Sequence, residues 1–347
     1  MSTPISFFDY TLPPERIAQE PLEPRDSSRL LVMDRKTGER EHKIFHDIVG
    51  LLKKGDVLVM NNTKVFKARL RGKRFEKEFE VFLLRPLDGA MEGSSLWHAL
   101  VRPGKKLHEG NFIEIAGISP TVVEKREDGS VVLVFPISTE EVFAFADAFG
   151  EIPTPPYVKK TPQDLKIYQT VYARETGSVA APTAGFHFTP RLLESLKGKG
   201  VQIEYVTLHV GLGTFRPVKT ETLEEHEMHA EYVHLAPETA ARLNAAKQEG
   251  RRVIAVGTTT VRVLEGIASL KDGLPESGFT GDINIFITPG FQFRVIDGLI
   301  TNFHLPKSTL LVLVSAFSSR ESILAAYEEA IKLGYRFYSF GDAVFIS

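Results

Sequence analysis

The sequence predicts an α/β protein, a mixed-sheet α/β main domain carrying an inserted antiparallel β-barrel domain. Three observations predict it. Apolar runs of strand length (Leu30 to Asp34, Asp56 to Met60, Val201 to Val210, Val253 to Gly257) are interleaved with helical patterns at both ends of the chain. Between these ends, from Asn61, the texture changes to short alternating segments separated by charged turns and evenly placed glycines, the pattern of a small antiparallel barrel. The 347 residues, 43% hydrophobic and 25% charged, are enough for two domains and a substantial core. The expected division is 1–60 with 151–347 for the main domain and 61–150 for the insert.

The chain opens as an extended arm punctuated by Pro13, Pro14, Pro21 and Pro24, which block long helices. In that arm Arg25, Asp26 and Arg29 are either an anion-recognising group or a solvated ion-pair cluster. The first two buried strands are separated by the turn Lys36-Thr37-Gly38 and an amphipathic stretch from Phe45 to Leu52. In the insert, Val65 to Leu70, Phe79 to Leu84, Leu96 to Val101, Phe112 to Ile115, Thr121 to Val123 and Val131 to Phe135 read as strands. Its basic run Lys64, Lys67, Arg69, Arg71, Lys73 and Arg74 is either a phosphate-contacting edge or an edge strand guarded by charge. A helix from Glu140 to Phe149 and a proline-stiffened strap from Glu151 to Tyr157 lead back to the main domain. There follow a helix from Pro190 to Lys197, the strand Val201 to Val210, and a strand–turn–helix at Val253 to Glu265. Strands Ile283 to Ile287 and Phe291 to Ile296, an apolar helix capped by Ser308 or Thr309, helix Glu321 to Lys332 and strand Arg336 to Ile346 complete the chain.

Composition narrows the chemistry. The absence of cysteine removes disulfides, thiolate nucleophiles, iron–sulfur clusters and cysteine zinc sites, leaving His, carboxylates, Tyr, Lys, Arg and backbone groups. A formal net charge of −2 argues against indiscriminate polyanion binding, while leaving a local basic face open. No apolar run approaches the roughly 20 residues of a membrane span, and the first residues do not read as a signal peptide. A cytoplasmic location is expected. No oligomerisation signal is legible, so a monomer is expected.

The stretch least easily explained by packing is Gly177 to Thr189, small, polar and framed by glycine, where backbone can approach a ligand. Alternation in it sets Phe186 and Phe188 on one side and His187 on the other. Ahead of it lie Tyr168 and Tyr172, which either bond a base or pack in the core. His209 ends a strand just before the turn Gly211-Leu212-Gly213-Thr214, where open α/β sheets place ligands; the alternative is a satisfied core histidine. His226 and His229 are three apart, not the four of a zincin helix, so no metal is expected, and His229 with Glu231 reads as an acid/base or ligand-bonding loop. Thr258, Thr259 and Thr260 open a helix whose exposed N–H groups favour an anion; ordinary capping needs only one of them.

Several ordered blocks closely resemble one family. They are Arg16-Ile17-Ala18-Gln19, Arg25-Asp26-Ser27-Ser28-Arg29-Leu30, Asn61-Asn62-Thr63-Lys64-Val65, Tyr168-Gln169-Thr170-Val171-Tyr172-Ala173, the loop at 177–189, Thr207-Leu208-His209-Val210-Gly211-Leu212-Gly213-Thr214-Phe215, Met228-His229-Ala230-Glu231-Tyr232, Val256-Gly257-Thr258-Thr259 and Thr301-Asn302-Phe303-His304-Leu305-Pro306. The resemblance is to the S-adenosylmethionine:tRNA ribosyltransferase-isomerases of queuosine biosynthesis, nearly end to end. Phe186, where a leucine is expected, and Phe291-Gln292-Phe293 are departures that remove no polar group. The resemblance implies an enzyme that moves the ribosyl part of S-adenosylmethionine onto 7-aminomethyl-7-deazaguanine at the tRNA wobble position. Adenine and methionine leave and epoxyqueuosine forms, with S-adenosylmethionine consumed as a co-substrate and no further cofactor.

That chemistry needs a base for a C5′ hydrogen, a proton for adenine, and donors for charge on ring oxygens. The expected catalytic residues are His187, His209, His229 and Glu231. Substrate contacts are expected from Tyr168, Tyr172, Thr183, Gly185, Phe186, Gly211, Gly213, Thr214, Thr258, Thr259, Arg262, Asn302 and His304. Contacts to tRNA are expected from Arg25, Lys67, Arg69 and Arg71. The competing functions are a small-molecule isomerase or hydrolase without an RNA substrate, and a non-catalytic tRNA-binding module.

Overall fold

The computed structural model describes residues 2–105, 107–154, 157–158, 164–211, 220–228 and 230–347. The chain divides into two compact units: Met1–Thr63, Gln169–Glu175 and Pro182–Ser347 form the larger, and Lys64–Tyr168 with Thr176–Ala181 the smaller.

In the larger unit nine strands form one mixed sheet, in the order Phe279–Ile283, Glu231–Leu235, Gln202–Leu208, Val57–Asn61, Val253–Val256, Gly298–Asn302, Ala343–Ile346, Arg29–Met33 and Arg40–Ile44. Gln202–Leu208, Val57–Asn61, Val253–Val256 and Gly298–Asn302 run parallel. Ala343–Ile346 reverses against Gly298–Asn302 and runs parallel to Arg29–Met33. The outer strands are antiparallel. Val57–Asn61 and Val253–Val256 are buried throughout, as continuous apolar runs are in a sheet covered on both faces.

One face carries Leu58, Met60, Ile254 and Ile300 with Phe45, Phe188, Leu192 and Leu196. The pleat turns Val57, Val59 and Asn61 to the opposite face, against helix Thr258–Lys271, which is buried from Thr258 through Ala268. No single helix among the described residues is long and apolar enough to cross a membrane.

Three expected strands of the larger unit are corrected. Of Ile283 to Ile287 only Ile283 is strand, as the last residue of Phe279–Ile283. Phe291 to Ile296 joins no ladder, because its backbone is held by Glu265: the buried carboxylate accepts from the N–H groups of Arg294 (2.9 Å), Val295 (3.0 Å) and Ile296 (2.9 Å). In Arg336 to Ile346 only Ala343–Ile346 is strand. The preceding turn folds around Asp342, which accepts from the N–H groups of Arg29 (2.9 Å) and Arg336 (2.8 Å). Gly341 is required there, since a Cβ would lie 2.5 Å from the Arg336 carbonyl oxygen. Strands Arg40–Ile44 and Gly298–Asn302 and helix Pro237–Gln248 were not anticipated.

The smaller unit is an antiparallel sheet in the order Arg69–Arg74, Lys77–Leu87, Ser95–Arg102, Val131–Phe135, Thr121–Lys125. Helix Thr139–Phe149, capped reciprocally by Ser138 and Glu141, sends Phe143 against Phe66 and Trp97. The expected strand Phe112 to Ile115 makes isolated bridges, Lys73 to Glu114, Phe112 to Thr121 and Ile115 to Ile118, so the continuous ladder is open.

Removing the Glu265 carboxylate strands three backbone donors, so Glu265→Ala should cost about 3 kcal/mol or more in urea unfolding, against under 1 kcal/mol for a typical surface change. A loss below 1 kcal/mol would show that those donors find other partners.

Candidate active site

The parallel strands deliver Asn61, Leu208, Val256 and Asn302 to one end of the sheet, where ligands bind in open α/β folds. Asn61 is fully buried and ties two of these ends together. Its Oδ1 accepts from the N–H groups of Thr63 and Leu208, each at 3.1 Å, and its Nδ2 donates to the Leu208 carbonyl at 3.1 Å. Next in the chain is His209, whose Nδ1 lies 2.8 Å from Thr63 Oγ1. A Thr63 hydroxyl turned toward the Glu175 carbonyl, 3.5 Å away, would accept the Nδ1 proton, the tautomer that leaves the His209 lone pair on Nε2. The His209 backbone N–H donates to the Tyr232 carbonyl (3.0 Å), and its ring stacks on that of Tyr232 with centroids 5.7 Å apart and planes 9° from parallel. Burial lowers its pKa to about 4, so it is neutral at physiological pH while half-buried, not sealed.

His187 is placed differently. The segment Thr183–His187 is a 3₁₀ turn, correcting the expected alternation. His187 and Phe188 both reach Phe45, His187 stacking at 4.8 Å and Phe188 meeting it edge-on at 5.0 Å. Phe186 instead stacks on Phe340. The Asn302 amide donates to the Tyr338 carbonyl (3.1 Å), so its nitrogen also donates to His187 Nε2 (3.2 Å); the His187 proton is therefore on Nδ1, toward Ser28 Oγ at 2.7 Å. Both ring nitrogens are occupied, and the ring is only 4% exposed. Burial, with Arg25 and Arg336 nearby, lowers its pKa to about 3. The adjoining crevice, shared with Arg25, Phe186 and Phe340, has a volume of about 10 Å³, room for about one water. His187, expected among the catalytic residues, is thus a neutral ring with both nitrogens bonded. His187 and His209 lie on the same face and the same end of the sheet, but their strands, Gly298–Asn302 and Gln202–Leu208, are three spacings apart, or about 15 Å.

Glu231 opens the strand that pairs with Gln202–Leu208, and the register Leu208 to Val233 sets it across from Val210. It points to the helix-covered face with Val233 and Leu235, whereas Tyr232 joins His209 on the other. Glu231, expected among the catalytic residues, therefore points to the face of the sheet opposite His209. It forms a buried ion pair with Arg262 Nη1, each side chain 5% exposed. Thr258 and Thr259 begin the helix, after Gly257 at φ 84°, and no side chain caps it.

The remaining expected residues fall into three groups. Tyr168 and Tyr172 are buried, so neither offers a stacking face. The Tyr172 hydroxyl packs so closely on Gly185 that a Cβ there would lie 1.9 Å from it. His304 is a core histidine: its Nε2 lies 3.0 Å from Thr301 Oγ1, its N–H donates to the Tyr327 hydroxyl (3.2 Å), its carbonyl accepts from Tyr10, and burial lowers its pKa to about 3. Thr183 donates to Asn302 Oδ1 at 3.5 Å, and Gly211 follows directly on the His209 strand end. Gly213, Thr214 and His229 lie outside the described residues.

The basic residues are largely engaged. Lys67 donates to the Asp147 carbonyl, Arg69 pairs with Glu80, and Arg71 with Glu80 and Glu151. Arg25 lies 5.0 Å over the Phe186 ring. A cavity of about 740 Å³ beside the smaller sheet sets Arg71, Lys73 and Arg102 against Glu78, Glu80 and Glu114, so its charge is balanced. Of the four candidates for tRNA contact, Arg71 is the one whose side chain is mostly solvent-facing, 59% exposed.

The family model of the queuosine biosynthesis proteins matches residues 5–346. The chain belongs to this family. It is 51% identical over 348 residues to the S-adenosylmethionine:tRNA ribosyltransferase-isomerase of Heliobacterium modesticaldum, with 99% of each chain covered. It also matches the crystal structure of the S-adenosylmethionine tRNA ribosyltransferase of Thermotoga maritima with a TM-score of 0.58 and 40% identity, over 99% of this chain and all of that one.

Sequence reading missed Ser28, Asn61, Thr63 and Tyr232 as individual groups. Asn61-Asn62-Thr63, a polar run ending a buried strand, was the available signal for two of them.

The buried histidines make stability acid-sensitive. His187 and His304 are held neutral down to about pH 3 in the fold, whereas the unfolded chain protonates them near pH 6.5. The unfolded state therefore binds more protons below about pH 6.5, and stability falls as pH drops toward the folded values by up to about 1.4 kcal/mol per pH unit for each ring. Urea unfolding from pH 7 to 4 should show that loss, and His304→Gln should flatten it by about one proton's worth. An unchanged slope in the variant would remove His304 from the account.

Proposed function

We propose that the protein transfers the ribosyl moiety of S-adenosylmethionine to 7-aminomethyl-7-deazaguanine at the wobble position of a tRNA and isomerises it. Epoxyqueuosine forms, and adenine and methionine are released. The observation that carries the site reading is His209: a neutral, half-buried imidazole at the carboxyl end of a parallel strand with Nδ1 bonded to Thr63, so that the tautomer protonated there carries its lone pair on Nε2. A sulfonium acidifies the adjacent C5′ hydrogens, and an imidazole that burial keeps neutral at physiological pH can accept one of them. Thr63 holds the tautomer, and Asn61 holds Thr63. His229 is the second proton-transfer group in this reading, and Thr258, Thr259, Gly211, Gly213 and Thr214 contribute donors around the ribose and the aminoacyl end. The sulfonium carries its own leaving groups, so no further cofactor is required.

The protein is read as cytoplasmic and monomeric. The bridges Lys73 to Glu114 and Phe112 to Thr121 support closure of the smaller sheet into a barrel, and its rim at Arg71 is assigned to tRNA phosphate.

Adenine release from S-adenosylmethionine, measured chromatographically, should depend on the modified tRNA; release without RNA, or none with it, would refute the reaction. His209→Ala should lower kcat by about 10²- to 10⁴-fold with S-adenosylmethionine binding retained, and wild-type turnover would take the base away from His209. Arg71→Glu should weaken tRNA binding more at low than at high salt, reducing the salt slope by about one unit. An unaltered slope would move the RNA face elsewhere.

A further inference from the structure

Arg262 is used incompletely by the protein around it. Its residue exposure is 4%, and among the described residues its one hydrogen bond is from Nη1 to Glu231. Nε and Nη2 have no hydrogen-bond partner among the described residues, although both atoms are buried. Buried polar groups are almost always hydrogen-bonded, so an arginine with one whole edge unmatched inside a fold calls for an explanation. The unmatched edge is chemically specific. Nε and Nη2 present two parallel N–H bonds, the fork that grips both oxygens of a carboxylate.

A second unmatched donor lies on the same helix. Thr259 is 8% exposed and its Oγ1 also has no partner. Positions 259 and 262 are three apart, so both side chains share one face of helix Thr258–Lys271. By contrast, Thr260 donates to the Val256 carbonyl at 2.7 Å and is satisfied. The helix starts at the end of the central strand Val253–Val256 with no side-chain cap, which adds its positive end to the same region. The Arg262 head is located by its pair with Glu231, across from Val210 and one residue from the His209–Tyr232 stack.

We infer that Arg262, with Thr259, forms a subsite for the α-carboxylate at the aminoacyl end of the sulfonium co-substrate. The inference rests on the proposed reaction for the identity of that ligand. Glu231 turns the Arg262 fork by holding Nη1, acting as a positioning residue, and it supplies negative charge near the ligand's α-ammonium. A substrate anchored there by its carboxylate runs over the strand ends toward His209, so the buried pair orients a reaction that occurs beyond it.

Calorimetric titration of the full chain with S-adenosylmethionine and with decarboxylated S-adenosylmethionine, which lacks only the carboxylate, tests the subsite. The wild type should prefer the parent compound by at least about tenfold. Arg262→Lys, which keeps the charge but loses the fork, should lose most of that preference and bind the decarboxylated analogue within about threefold of wild type, a readout that requires a folded protein. Thr259→Val, the milder change, should reduce the preference by about threefold and serves if Arg262→Lys does not fold. Equal wild-type binding of both compounds, or full preference in the variants, overturns the subsite. If tRNA-dependent adenine release persists alongside that result, the subsite fails and the reaction stands. If neither sulfonium binding nor adenine release is observed, the reaction fails and the subsite with it.

Discussion

The arrangement of the site depends on one buried amide. Asn61 occupies the last position of a central strand, where the backbone must leave the ladder and its N–H and C=O groups would otherwise be stranded out of water. One side chain meets three of those obligations, joining Thr63 to Leu208 and so welding the ends of two parallel strands. An aspartate could accept but not donate, and an aliphatic residue could do neither. Without that amide Thr63 has no fixed place, and without Thr63 the tautomer of His209 is undetermined. A backbone problem common to every sheet end is solved here in a way that also orients an imidazole.

The histidines divide by solvation. His187 and His304 are both enclosed and neutral, and each has its ring nitrogens or backbone taken up by neighbours that do not titrate near neutrality: Ser28, Asn302, Thr301 and the Tyr327 hydroxyl. Such rings serve as rigid, flat packing groups with two addressable polar edges. His209 differs in being half-buried and, among the described residues, in bonding through Nδ1. The three sit in similar glycine- or proline-flanked sequence, and the difference between them is made by what the fold brings alongside.

This is also why the fold was more legible than the site. Runs such as Val57–Asn61 and Val253–Val256 carry their own signal, and the glycine turns mark the smaller unit as antiparallel. Phe291 to Ile296 has the composition of a strand, and only the Glu265 carboxylate, on a helix some thirty residues earlier, makes it a loop. Arg40–Ile44 is an edge strand whose exposed charges erase the alternation. Helix Pro237–Gln248 buries mainly Ala240, Leu243 and Ala246, too little bulk to stand out. At the site, His209 could be placed from its position at a strand end. The role of His187 could not, because Ser28 and Asn302 are 159 and 115 positions away in the chain. The orientation of Glu231 needed the register with Gln202–Leu208, which alternation alone does not supply.

The contact between Gly185 and Tyr172 has a mechanical side. The phenol fills the space of the missing Cβ, and its ring continues onto Tyr205 at 5.7 Å, two residues before Thr207 on the strand that ends at His209. Gly185, Tyr172 and Tyr205 therefore form a chain of contacts, the two rings tilted 42° to one another. Moving the turn at 183–187 outward unseats Tyr172 from its glycine; moving it inward is sterically barred. The turn whose His187 bonds Asn302 and the strand that leads to His209 are thus linked through two phenol rings and a position with no room for a methyl group.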